Sequence, residues 1–249
     1  MNTQLPSTSA ALKHLLQADL TIQWRNRKSV ILVLLVPVIL LISWKGVIDK
    51  IGAAFAVSTS LTMGLIAIGL MGYSNSIARD RDKGVFQRLR VSPVPSWSIM
   101  VSRLMVQLLM ILLLTTLVFI AASNYDHITL SPQGYALTYL TAVLGGALYL
   151  GIGQMIVGLI KNPETVNSTT RLVYFVFIMV GIFADMGVMG EQVKEIVHWS
   201  PYGTVKTMIG ASTNPSLWTN KHTIALLASA GYAVVFSLLG IKWFKWNSK

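Results

Sequence analysis

The residues able to do chemistry gather in two stretches. The first reads Arg79-Asp80-Arg81-Asp82-Lys83-Gly84-Val85-Phe86-Gln87-Arg88-Leu89-Arg90-Val91-Ser92-Pro93. Arginines alternate with aspartates, then a glycine gives way to Phe86 and Leu89, three apart and able to share one face of a short helix over 79–90. Pro93 and Pro95 end that helix, because the residue before a proline is pushed away from helical angles. Ser96 is placed to cap the helix that follows. Cations alone would describe a solvated loop touching anionic lipid at about 1 kcal/mol each. Asp80 and Asp82 weaken that attraction, so mixed charge with an apolar edge fits a protein-docking helix better. The second stretch holds Glu191, Glu195 and His198, which a helix would bring together. Glu-x-x-His spacing occurs in carboxylate metal sites, but the same residues form the polar face opposite Val193, Ile196 and Val197. A surface or half-membrane helix is the simpler reading.

The remaining candidates are sparse. Asp185 sits near the end of an apolar run, where an ionisable group reaches the interface or a water-filled cavity. His14, His127 and His222 stand alone. The chain has no cysteine, which excludes disulfides, thiolate metal sites and cysteine nucleophiles. No catalytic residue and no metal site is therefore expected.

The elements that must position these residues are membrane spans. Of 249 residues 53% are hydrophobic and only 12% charged, about half the charge of an average soluble domain. Mean hydropathy is +0.62, and apolar stretches of about 18 residues or more recur. The expected fold is an all-α polytopic membrane protein forming one domain over 1–249. It has six spans, at about 30–44, 51–76, 99–122, 135–160, 172–188 and 223–243. An imperfectly amphipathic helix over 10–28 lies on the membrane surface, and the polar first ten residues predict no cleaved signal peptide. Pro37 should kink the first span. Ala56, Ser60, Gly64 and Gly72 give the second a small-residue face, and Gly145, Gly146, Gly151, Gly153 and Gly158 do the same for the fourth.

Charge orients the bundle. The chain carries 20 Lys and Arg against nine Asp and Glu. With both termini cytoplasmic, fifteen cations and four acids fall inside, and five of each fall outside. The positive-inside rule selects that orientation. The whole net charge of +11 is then cytoplasmic, which makes it a topology signal rather than a nucleic-acid surface.

Six spans, a preceding interfacial helix and the 79–93 segment together resemble the permease subunit of type-2 ATP-binding cassette exporters. That family's first cytoplasmic loop reads roughly E-R-E-x-G-T-x-x-x-L-x-x-[ST]-P, and Asp80, Arg81, Asp82, Gly84, Leu89, Ser92 and Pro93 occupy those positions. Aspartates replace both glutamates, and Val85 replaces the threonine. His198-Trp199-Ser200-Pro201-Tyr202 is similar to the family's proline-containing outer segment. The resemblance implies a dimer of permease subunits, identical or different, in the plasma or inner membrane. It also implies a cytoplasmic ATPase partner that binds ATP and Mg, since no G-x-x-x-x-G-K-[ST] loop occurs here. Arg79 to Arg90 would be the coupling helix, with Arg79, Lys83, Phe86, Arg88 and Arg90 beside the motif residues. Cargo would be a drug, lipid, peptide or glycan precursor, with a drug implying resistance. A non-transporting immunity or sensor subunit of the same architecture is the alternative; an intramembrane enzyme lacks the clustered groups it needs. Spans two and five would lie near the dimer pathway, which makes Ser60, Thr62, Phe175, Met179 and Asp185 candidates for its lining. Gln107 and Gln154, costly in lipid, should face other helices.

Overall fold

The computed structural model describes residues 8–90 and 96–244. Ser92 and Pro93 lie outside the described residues. Every element among the described residues is helical, as an apolar chain requires when backbone groups must be satisfied within each segment. Helix α1 (Thr8–Arg25) turns by 64° into α2 (Arg27–Ser43), which runs through Pro37 without a break. A short α3 (Ile48–Ile51) leads into α4 (Ala53–Ile66), continued by a π-helix (Ala67–Ser74) and α5 (Asn75–Asp82). After α6 (Val85–Arg90) come α7 (Ser96–Asp126), α8 (Pro132–Leu159) and α9 (Pro163–Asp185). Two shorter helices, α10 (Glu191–Trp199) and α11 (Pro201–Thr213), precede α12 (Asn220–Trp243). Among the described residues five helices are long and apolar enough to cross a membrane, or up to six spans if the bent α1–α2 pair is one.

Local chemistry sets the boundaries. Three helices open on a polar residue followed by proline. Ser131 Oγ accepts from Gly134 N at 3.1 Å, Asn162 Oδ1 from Glu164 N at 2.8 Å, and Ser200 Oγ from Gly203 N at 3.3 Å. Proline at the first helical position loses no bond, since that N–H has no intrahelical partner. Asn162-Pro163 therefore starts α9 nine residues before the span expected at 172. Ser200-Pro201 starts α11, a buried helix packed on α4, α8 and α12 where the sequence reading places an outer loop.

The core is a close approach of α8 to the second span. A Cβ on Gly69 would stand 2.5 Å from the Tyr149 carbonyl carbon, and one on Gly153 would stand 2.5 Å from the Gly69 carbonyl oxygen. Only two glycines let these backbones touch. Gly72, expected on this face, has no such neighbour. Gly69, inside the π-segment, makes the contact instead, and Ser74 Oγ donates to the Gly69 carbonyl five residues back at 2.9 Å. Such π-segments interrupt α-helices most often at functional positions. The Gly153 contact sets the expected outcome of a substitution. Gly153→Leu should cost about 3 kcal/mol or more, because the clash is with backbone. Gly231→Leu, whose site is open, should leave the melting temperature in detergent unchanged.

Candidate functional site

The mixed-charge stretch is two helices rather than the single one expected over 79–90. Arg79 to Asp82 form the last turn of α5, the end of the second span. Lys83 N and Gly84 N close that turn on the Arg79 and Arg81 carbonyls at 3.0 and 3.1 Å. Gly84 has φ +66°, a left-handed conformation that glycine adopts without strain, so the chain reverses there into α6. Arg88 donates back to the Lys83 carbonyl at 3.0 Å.

One side chain joins the pieces. Arg103, from the second turn of α7 and only 7% exposed, lies 2.5 Å from Asp80 on α5 and 3.7 Å from Asp19 on α1. It also donates to Ser76 Oγ at 3.3 Å and stacks over the Phe86 ring of α6 at 5.4 Å. Ser102, its neighbour, donates to Asp19 at 2.5 Å. Asp19 falls outside the five long spans, and burial raises its carboxyl pKa above the usual range; the Ser102 hydrogen bond and the Arg103 charge partly offset this, while Asp80 adds to it. Phe86 is fully buried and meets Phe244, just past α12, edge-on at 5.9 Å. A guanidinium suits this junction because its fixed fork holds several partners at once and its flat face covers an aromatic ring.

Arg81 performs a second fixing. Its guanidinium, 1% exposed, donates to the carbonyls of Val157, Ile160 and Lys161 at 2.7, 2.6 and 2.8 Å. These are orphan acceptors at the C-terminal end of α8, where the helix dipole also favours a cation. Asp80 and Arg81 thus face inward to α7 and α8. Asp82, Lys83, Gln87 and Arg88 stay exposed, and together they form a mixed-charge outer face on a fixed base.

The other candidates are dispersed. Ser60 and Thr62 are completely buried within the chain, so neither shares an open surface with Phe175, which is 59% exposed on α9, or with the half-buried Met179. Asp185, at the end of α9, forms a close ion pair with Lys206 of α11 and accepts from Tyr202 Oη at 3.2 Å. Lys206, counted among the outer-loop cations in the sequence reading, is 8% exposed. Glu191 pairs with Lys194 at 3.2 Å, and among the described residues no three metal-capable side chains converge. Gln154 accepts from Tyr73 Oη at 2.7 Å. Gln107 faces a cavity of about 30 Å³ shared with Gln23, Ser76 and Arg79.

Residues 10–212 match the profile of ABC-2 type transporters. The chain belongs to that family. It is also 23% identical over 167 residues, 66% of its length, to the Bacillus subtilis (strain 168) protein named "Putative transport permease YvfS". The match spans 65% of that relative.

The junction makes a clear demand on its central residue. Arg103→Gln leaves Asp19 and Asp80 as buried charges without a counter-ion, which should cost about 3–5 kcal/mol. Thermal unfolding and trypsin cleavage near Arg88 should both report the loss. Arg103→Gln combined with Asp19→Asn and Asp80→Asn should recover most of it.

Proposed function

We propose that this chain is the membrane-spanning subunit of an ATP-driven exporter. In this reading it works in the cell membrane as one of a pair of permease subunits, with cytoplasmic ATPase subunits supplying ATP and Mg binding. Asp82, Lys83, Gln87 and Arg88 form the surface the ATPase grips. The observation that carries the proposal is the pair of buried arginines behind that surface. Arg103 ties α6 to α1, α5 and α7, and Arg81 ties α5 to the end of α8. Displacement of α6 by a closing ATPase would be handed to these helices together instead of being absorbed by a loop. The π-segment between α4 and α5 is the place where the second span can respond, since its backbone bonding already departs from the α pattern.

Two further features support the assembly. The excess of Lys and Arg on this side supports a cytoplasmic junction. The apolar face of α9, with Leu172, Phe175 and Val176 exposed, is the surface offered to the second subunit, since the resemblance sets span five beside the dimer axis. Ser60 and Thr62 then stand behind the cargo route, and Phe175 and Met179 beside it. The cargo is drawn from drugs, lipids, peptides or glycan precursors.

Charge reversal of the outer face separates docking from folding. Asp82→Lys with Arg88→Glu should lower ATP-driven transport at least about tenfold, because like charges then meet across the contact. Melting temperature and membrane insertion should stay unchanged. Asp80 is unsuitable for this test because its reversal strikes the Arg103 pair. The dimer surface has its own check. In this cysteine-free chain, Phe175→Cys should form an intersubunit disulfide in membranes if the dimer is of identical chains. Leu238→Cys, on the exposed face of α12, should not.

A further inference from the structure

A second polar site occupies the end of the bundle away from the Arg103 junction. A cavity of about 380 Å³ lies between the start of α4, the end of α9, helices α10 and α11, and the start of α12. That volume is within the range of small-ligand sites. Its wall includes Phe55, Asp185, Lys194, His198, Lys206 and His222. Lys206 is the centre. Its ammonium group is paired with Asp185 and sits 3.7 Å above the Phe55 ring. An ammonium carries three donors, so one carboxylate oxygen and one ring face leave capacity for an occupant of the cavity. Burying a lysine is costly unless it is paired; burial lowers the Lys206 pKa, and the Asp185 charge opposes that shift. The wall therefore offers two lysines and two histidines against a single carboxylate, with Glu191 touching Lys194 from outside the wall. Apolar side chains of Phe55, Val197 and Leu217 complete it.

We propose that this cavity binds an amphiphile with an anionic headgroup, a phosphate or carboxylate received by Lys206, with Lys194, His198 and His222 around it and its apolar part against Phe55. Asp185 orients Lys206 without filling the site. That the cavity opens on the outer side of the membrane rests on the exporter reading; the binding itself does not.

The test uses the full chain in phosphatidylcholine nanodiscs with no ATPase present, so its failure would leave the ATPase-coupling reading intact. Binding of dodecyl phosphate is followed by tryptophan fluorescence, with octaethylene glycol monododecyl ether as the neutral control. Saturable binding of the phosphate at least about tenfold tighter than the ether is expected, the value of one charge-assisted contact. Lys206→Gln should abolish that preference. Should Lys206→Gln fail to fold, the combined Lys194→Gln and His198→Gln variant, altered only outside the buried pair, should reduce the preference at least about threefold. Equal affinity for phosphate and ether, or a preference unchanged in a folded variant, would overturn the proposal. Adding phosphatidylglycerol to the nanodisc separates the two sources of such a headgroup. Competition assigns the site to bilayer lipid, and its absence assigns it to a free anionic amphiphile.

Discussion

A buried guanidinium is tolerable only with its partners in place, and at Arg103 this one constraint organises one end of the helix bundle. Its charge needs Asp80 and Asp19 close by. Those aspartates come from α5 and α1, so the end of the second span and the surface helix must both approach the second turn of α7. Phe86 then has a cation above it and Phe244 beside it, which fixes α6 although it is only six residues long. A helix that short would be marginal alone. Its stability is tertiary, supplied by the Phe86 contacts with Arg103 and Phe244.

Arg81 extends the same logic to α8. Because it caps the end of that helix, it joins the tip of the second span to the tip of the fourth. The glycine contact between Gly69 and Gly153 joins them again near mid-span. Between these two attachments lies most of the π-segment. The second span is therefore held at two points by one partner, with its least regular stretch between them.

Much of this was legible in the sequence. Apolar run lengths gave the order of the long helices, and alternating charge after span two marked a segment that the structure ties to α1, α7 and α8. The division of labour within that segment was not legible. Asp80 and Asp82 look alike in sequence, yet one is paired internally and the other exposed, because the partner that selects Asp80, Arg103, lies 23 residues on and on another helix. The same reason hid Lys206, whose partner Asp185 sits 21 residues earlier on another helix. Helix α11 left a signal that could have been read, since Ser200-Pro201 matches the opening of α8 at Ser131-Pro132. The π-turn left none, and the packing glycine lies at position 69 instead of the expected 72.

The central claim is that α6 moves as one body with the ends of α7 and α8. The most direct measurement is a pair of spin labels in the cysteine-free chain, at Gln87→Cys on α6 and Leu159→Cys at the end of α8, both exposed. In the complex with its ATPase, doubly labelled subunits are diluted with unlabelled ones for the distance within a subunit, and subunits labelled at Gln87→Cys alone are used undiluted for the distance between subunits. The distance within a subunit should stay the same when ATP binds, while the distance between Gln87→Cys labels on the two subunits changes. If ATP moved α6 relative to α8 within one subunit, the junction would be a hinge and not a rigid coupling.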